Sequence, residues 1–542
     1  MDQSIPIREM PGGTSLFIDC WEGSDGFLSL VPRHFRDPSS FKTQVDLLSK
    51  RRYARKTLFS ALLQQNESFL AGSDTIENIQ RLVDPRSVVV IGGQQAGLFG
   101  GPLYTLYKAL TVAALARRLA ADLERPVIPV FWIASEDHDL AEVNHTCVTS
   151  AAGELIEISM GDDDGRRIPI SDRRLGEGAA RAFSKLTSAL SDVGLPPELE
   201  SALRQTYREG AGYAQAFGTW MQFILKNQGI AFIDPSEDRI KRLAIPLFRR
   251  EIEEKGPVSR SVIRHTARME QLGYQAQIGL REGMLTLFHQ DPVREAILVR
   301  ESGFELKDGS RRFTQGELVS LLEDAPGKLS PNAALRPLFQ DWIFPTIAAV
   351  LGPSELAYYA QLTQAYGDME IPMPILFPRT SLTLIEPEIA RLLTKHRLTL
   401  RDVVTRGPRV IDEIARREVP RDIFQGLAAG RSGVEGIWRG LVEEVGSLDP
   451  TLRPTAENAK GRSLRQFDLI EKKIVKAARR KNETLQRQVD RIIASLFPRG
   501  GIQERSLNSI PFLARYGLEV FNDAFGRMDF FSAEHRGMEI GG

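Results

Sequence analysis

The chain is poor in cysteine, with only Cys20 and Cys147 among 542 residues. Two thiols far apart in sequence suit a reducing compartment and cannot by themselves supply a structural zinc site. There is no excess charge of either sign, 70 Lys and Arg standing against 70 Asp and Glu. That balance argues against a broad polyanion-binding surface, so no nucleic-acid partner is expected, though a local basic stripe stays open. No apolar run is long enough to span a bilayer, and no membrane partner is expected. The opening MDQSIPIREM carries mixed charges and no apolar signal core, which makes the cytoplasm the expected location. What is present is ordinary for a globular protein, 42% apolar and 26% charged. The length exceeds one ordinary core, so a main domain with insertions or an arm is expected.

Residues 88–146 carry the densest pattern. Residues 88–91 are apolar and β-branched, as in a strand buried on both faces. GGQQAG follows at 92–97, then Pro102 and the helical spacing of Leu103, Leu106, Tyr107, Leu110, Ala114 and Leu115. A second apolar strand, Val127–Ile133, leads into Ser135, Glu136, Asp137, His138 and Asp139, and Pro129 counts against a central place for it. Strand, glycine turn, helix, strand and polar cluster stand in the order of a βαβ unit, whose ligands bind beyond the carboxyl ends of the strands. Gly93 and Gly97 would let backbone N–H groups approach an anion at a helix start, with Gln94 and Gln95 adding amide groups. GGQQAG is not GxGxxG and no P-loop lysine follows, so a tight turn whose glycines only relieve strain is the alternative.

Glu136, Asp137 and His138, with Asn144 and His145 beyond, are metal-ligand types, but their spacing matches no zinc pattern and no metal is predicted. Acid–base or orienting work suits Asp137 and His138 better, while Asp139 suits a helix cap. Tyr104 and Lys108 are four apart on one helix face; Lys108 either neutralises an anion or is a surface lysine. Trp132 reads as core, with sugar stacking as the lesser alternative. Asn332, Arg336, Tyr358, Tyr359 and Gln361 form another polar group, in which Arg336 suits a carboxylate or a structural ion pair. Arg379, Thr380 and Ser381 fill a loop between apolar segments at 375–377 and 382–385. Gln503, Glu504, Arg505 and Asn508 serve either docking or nucleotide binding.

The remaining pattern divides the chain. Residues 1–146 read as N-terminal helices and the first half of a Rossmann-like core, 147–227 as a connecting insertion, and 228–272 as core again. Residues 273–328 read as a small β-rich insertion and 329–387 as the second half of the core, with Ser354 as a lone helix cap because Ala357 stands where a capping box needs Glu or Gln. Residues 388–498 read as a coiled-coil arm. Its seam runs through Leu464, Phe467, Ile474, Ala478, Leu485, Val489, Ile492 and Leu496, with a phase irregularity at Lys481 and Asn482. Residues 410–445 are the antiparallel partner, and Gly446, Pro450 and Pro454 mark the bend. Residues 499–542 form a tail whose Phe512, Leu513, Tyr516, Val520 and Phe521 dock on the core.

Four blocks in order along the chain carry a family resemblance. They are GGQQAGLFGGPLYTLYKA with PVFWIASEDHDLAEVNH; LSPNAALRPLFQDWIFPTIAAVLGPSELAYYAQL; PMPILFPRTSLTLIE; and EKKIVKAARRKNETLQRQVDRI with LFPRGGIQER. Together they resemble the bacillithiol biosynthesis cysteine-adding enzymes, the BshC family. The resemblance implies an α/β fold whose Rossmann-like parallel-sheet core is similar to class I nucleotidyl-transferring synthetases, with inserted connecting segments and an α-helical coiled-coil arm. It implies a ligase that joins cysteine to the amine of glucosaminyl-malate in the last step of bacillithiol synthesis, a homodimer formed through the arm, and ATP or ADP as cofactor.

On that implication Asp137 or His138, with Glu136, takes the amine proton. Gly93, Gln94, Gln95, Gly97, Tyr104, Lys108, Asn144, His145, Asn332, Arg336 and Tyr359 bind substrate. Arg379, Thr380, Ser381, Arg505 and Asn508 bind nucleotide. The chain departs from the synthetases in lacking HxGH and the lysine-rich signature loop. The rival expectation is a catalytically silent Rossmann-type metabolite- or nucleotide-binding protein whose arm recruits a partner. An oxidoreductase would need a dinucleotide fingerprint that is absent.

Overall fold

The computed structural model describes residues 3–150 and 152–541, apart from the side chain of Lys481. The chain forms two compact units, one of Met1–Leu384 with Gly501–Gly542, the other of Ile385–Gly500.

The first unit is built on five parallel strands: β1 (Val88–Gln94), β2 (Val127–Ile133), β3 (Ala231–Ile233), β4 (Thr346–Leu351) and β5 (Ile375–Pro378). They lie in the order β3-β2-β1-β4-β5, the Rossmann order, which reverses direction between β1 and β4. All seven residues of β2 and all six of β4 are buried, as near-continuous apolar runs in a sheet covered on both faces require. Helix α1 (Leu103–Leu123) links β1 to β2 and buries Leu106, Leu110, Ala113 and Leu119.

Pro129 is accommodated although β2 has a neighbour on each side. The short β3 pairs only with Val130, Phe131 and Trp132, so beside Pro129 there is no β3 ladder to need its missing N–H. The glycine turn starts later than its sequence suggests. Gly92, Gly93 and Gln94 are still strand, paired with Phe131, Trp132 and Ile133. A Cβ on Gly93 would meet the Trp132 carbonyl oxygen at 2.7 Å, so this pairing needs glycine. Helix α2 (Pro353–Gln361) also begins earlier than expected. Its cap is Gly352, not Ser354, with Pro353 in the first turn and Glu355 accepting the Gly352 N–H at 2.8 Å.

An antiparallel sheet inserted before β4 contains Met284–Gln290, Arg294–Arg300, Gly303–Leu306 and Arg312–Phe313. Leu329–Pro331 extends it by pairing with Leu287–His289, so the insertion reaches three residues past the expected limit at 328. The mainly helical N-terminus holds one strand that its pattern did not signal, Gln3–Pro6, which pairs with Glu534–Glu539. Phe512, Leu513, Val520 and Phe521 of the tail lie in the hydrophobic core.

In the second unit, α3 (Arg421–Leu448) and α4 (Arg453–Lys481) are joined by the short turn Pro450–Leu452. Arg431 and Asp468 pair across them at 2.6 Å. The phase irregularity is a real break: Asn482 leaves the helical path and caps α5 (Glu483–Leu496) by accepting the Leu485 N–H at 2.9 Å.

Candidate active site

A cavity of about 460 Å³ opens at the carboxyl ends of β1, β2 and β4, where the strand order reverses. Three chain segments reach it because three neighbouring strands end there: Gly93–Gln95 from β1, Ala134–Asp137 from β2, and Gly352–Glu355 from β4. Glu142, Arg294, Asn332, Arg336, Tyr358, Arg379 and Arg505 complete the polar wall.

The β2 side is acidic. Glu136 is buried against Lys241, with 2.7 Å between carboxylate and ammonium, and Lys241 is itself 1% exposed. Asp137 accepts its neighbour's N–H from His138 at 2.7 Å and the Gln95 amide at 2.9 Å. The same Gln95 Nε2 donates to Glu142 at 2.7 Å. Asp139 caps the single turn Leu140–Val143 by accepting the Glu142 N–H at 3.1 Å, which fixes where Glu142 stands. Burial raises the Glu142 carboxyl above its ordinary range, Asp139 and Asp137 add to this, and the Gln95 hydrogen bond opposes it. Arg294 reaches in from the antiparallel sheet. Its guanidinium donates to Ser330 Oγ and the Pro331 carbonyl and lies 4.0 Å from Asp137.

The side nearer β4 and β5 is cationic. Lys108 is buried, not a surface lysine, and donates to the Gly93 carbonyl at 2.7 Å, Gln94 Oε1 at 2.9 Å and Glu355 at 2.5 Å. Burial lowers its pKa and Glu355 opposes this. Arg336 is hydrogen-bonded to the Tyr358 hydroxyl. Arg379 pairs with buried Glu504 at 2.6 Å and lies 5.5 Å from the Tyr104 ring centre. Burial and the Glu142 charge push the Tyr104 phenol up to about 12. Arg505 completes this wall. Asn332 stands at the rim, its Oδ1 accepting the Ala334 and Leu335 N–H groups at 2.9 and 3.1 Å.

Several expected residues stand outside the cavity lining. His138 is turned away: its Nε2 faces Arg167 Nε at 3.4 Å and its Nδ1 faces Asp137 at 3.5 Å. Burial lowers its pKa, with Arg294 and Arg167 adding to this and Asp137 opposing. Gly97 closes a tight turn, a Cβ there meeting Gly101 Cα at 2.8 Å. Asn144 donates to the Gly161 carbonyl and His145 bonds the Ala141 carbonyl, both at 2.8 Å. Tyr359 is buried beside Gln340, and its neighbour Tyr358 faces the cavity instead.

Of the expected nucleotide group only Arg379 and Arg505 face the cavity. The Thr380 N–H is bonded to Thr111, and Ser381 is bonded to Glu504 and His535. Asn508 is wholly buried, donating to the Phe99 and Gly101 carbonyls. Leu103 N–H donates to the Leu507 carbonyl, so the tail seals the start of α1 where an anion had been expected. Two arginines fit an anionic group, while the Ser381 and Asn508 side chains are already bonded within the protein.

Glu142, Arg294 and Glu355 belong to the site and were not singled out by sequence. Glu142 lies in the same block as Asp137, five residues on, with no local pattern to set it apart. Arg294 sits in a β insertion with no motif around it.

The family model described as "Bacillithiol biosynthesis BshC, N-terminal Rossmann-like domain" matches residues 3–380, and "Bacillithiol biosynthesis BshC, C-terminal coiled-coil domain" matches residues 382–540. The chain belongs to the BshC family. Proteins named "Putative cysteine ligase BshC" are 30% identical in Salinibacter ruber, over 94% of this chain and 93% of that one, and 29% identical in Chloroherpeton thalassium, over 95% of each. The BshC relative in Koribacter versatilis is 30% identical over 99% of each chain. A crystal structure titled as a putative arginyl tRNA synthetase from Campylobacter jejuni is 11% identical, covering 84% of this chain and 96% of that one, with a TM-score of 0.22. That score is too low to bear on the fold.

Proposed function

We propose that this BshC-family chain is a cysteine ligase that forms an amide between the cysteine carboxyl and the amine of glucosaminyl-malate, the last step of bacillithiol synthesis. The supporting observation is the division of charge across one cavity. Gln95, Asp137 and Glu142 stand on the β2 side, and Arg336 and Arg505 stand with Arg379 on the other. β2 and β4 are separated by β1, which puts them roughly 10 Å apart. That span suits a ligand with an amine at one end and carboxylates at the other. The malyl group supplies two carboxylates, for which planar guanidinium groups are matched donors.

A carboxylate does not acylate an amine at neutral pH, so the acyl donor is an activated cysteine that enters as a substrate. We read ATP as the source of activation, with Arg379 and Arg505 as the groups facing the anion. The chain's own residues hold the glucosamine amine against the acidic side and the malyl end against the arginines. Fixing two reactants this way lowers the entropic part of the barrier. The arm is read as a homodimer contact. Ile437 and Leu448, 71% and 83% exposed on α3, support an apolar face for a second copy, and sedimentation of the whole chain tests it. Cys20 and Cys147, buried and not joined in a disulfide, support a cytoplasmic location.

Thermal unfolding with added ligand tests the binding arrangement. Only native-state binders raise the midpoint. Glucosaminyl-malate is expected to raise it, and its N-acetyl form, which lacks the basic amine, to raise it less. Equal shifts would contradict the placing of the amine at the acidic side.

A further inference from the structure

The two glutamines of GGQQAG lie in one hydrogen-bonded line across the cavity floor, and chemistry fixes its direction. A lysine ammonium can only donate. Lys108 therefore turns Gln94 Oε1 toward itself at 2.9 Å. The Gln94 amide nitrogen must then face the other way, and it lies 3.5 Å from Gln95 Oε1 and 3.4 Å from the Tyr104 hydroxyl. That leaves the Gln95 nitrogen pointing at Asp137 and Glu142, at 2.9 and 2.7 Å. The Gln-Gln pair thus serves carboxylates, not a phosphate.

The two carboxylates do not have equal freedom. Asp137 is engaged by the His138 N–H at 2.7 Å and by Gln95, and faces Arg294 at 4.0 Å. Both of its oxygens are thus engaged by hydrogen-bond donors within the protein. Glu142 receives Gln95 on one oxygen, lines the cavity, and has acidic neighbours on its own turn. Two close carboxylates bound to one amide hydrogen-bond donor make the second ready to take a proton.

Resting on the ligase reading, we propose that Glu142 is the group that takes the amine proton, and that Gln95, oriented by Lys108 through Gln94, is its positioning residue. The amine nitrogen attacks the activated acyl carbon, the C–N bond forms, and the C–O bond to the activating group breaks with its electron pair. One N–H proton passes to the Glu142 carboxylate. Burial and the neighbouring acids, which raise this carboxyl, bring it nearer the working pH and strengthen it as a base.

The test measures amide formation by the whole chain across pH 5 to 9, with glucosaminyl-malate as acceptor and either cysteine with ATP and Mg²⁺ or preformed cysteinyl adenylate as donor. For Glu142→Gln the expected result is a loss of kcat of about 10²- to 10⁴-fold, far larger than any rise in KM for glucosaminyl-malate. The acid limb of the wild-type pH profile should disappear, and the variant's rate should climb with pH as the amine deprotonates in solution. Glu142→Asp should keep the limb at a reduced rate. Gln95→Leu should keep a limb but displace it. If Glu142→Gln retains the wild-type limb and a kcat within about threefold of wild type, this proposal is overturned while the ligase reading stands. If wild-type protein forms no amide from either donor, the ligase reading fails and takes this proposal with it.

Discussion

Lys108 Nζ lies 2.5 Å from Glu355 Oε2, joining α1 to the first turn of α2 across the point where the strand order reverses. The Lys108 side chain is 1% exposed and that of Glu355 24%. Such a pair is not itself strong evidence of stability, but losing Lys108 leaves the partly buried Glu355 carboxylate without its counter-charge. Lys108→Met is expected to lower stability by about 3–5 kcal/mol, measured by urea unfolding. The double variant Lys108→Met with Glu355→Leu should recover a large part of that loss. A single variant as stable as wild type would show that the pair does not carry its geometry.

Arg336 tests the cationic side. Its guanidinium donates to the Tyr358 hydroxyl and Arg336 lines the cavity. Replacing it by lysine keeps the charge and removes the planar pair of donors. The expected result for Arg336→Lys is a rise in KM for glucosaminyl-malate of roughly 10- to 100-fold, from a lost charged hydrogen bond of about 1.5–3 kcal/mol, with kcat changed far less. Steady-state kinetics decide it, and an unchanged KM would place the malyl group elsewhere.

Glu251 gives a pH signature separate from the site. It is buried, accepts the Thr286 and Val258 N–H groups at 2.8 and 3.3 Å, and burial pushes its carboxyl up to about 7 from 4.5. Between those values the unfolded chain releases a proton that the folded chain keeps. Stability should therefore fall as pH rises through that window and level off above it, by roughly 3 kcal/mol for this group. Glu251→Gln, which cannot ionise, should gain on wild type by that order between pH 4.5 and pH 8 in urea melts. Parallel curves for the two proteins would show that Glu251 ionises normally in the fold.

Asn508 tests how the tail holds the loop after β1. Its amide nitrogen donates to the Phe99 and Gly101 carbonyls at 3.1 and 2.8 Å in a fully buried setting. Asn508→Leu strands those acceptors, and unfolding free energy should drop by about 1–3 kcal/mol for each one left unsatisfied. A change below about 0.5 kcal/mol would mean water takes over the contact.

Much of the core was legible because periodicity and strand ends are local signals. The β-branched run at 88–91, the helix after Pro102 and the strand Val127–Ile133 each declare themselves within a few residues, and so does the break at Asn482. The resemblance then linked segments that sequence spacing alone could not. What stayed hidden depends on distant partners. Lys108 is indistinguishable from a surface lysine until Glu355, 247 residues on, is placed against it. Nothing local says that His138 turns to Arg167 while Glu142 turns to Gln95. Ser381 and Asn508 have the side chains of a binding loop, and only the packing of the tail shows that Glu504, His535 and the loop at 99–101 already occupy them. Arg294 arrives from an inserted sheet whose register no pattern specifies.

The central claim, that one cavity joins an activated cysteine to an amine, is tested most directly by mass spectrometry of the product. Purified chain would be incubated with glucosaminyl-malate and either cysteine, ATP and Mg²⁺ or preformed cysteinyl adenylate. The account predicts, from either donor, a new species equal to glucosaminyl-malate plus cysteine less one water, absent when the N-acetylated acceptor is used. Protein that binds glucosaminyl-malate yet forms no such species from either donor would contradict it.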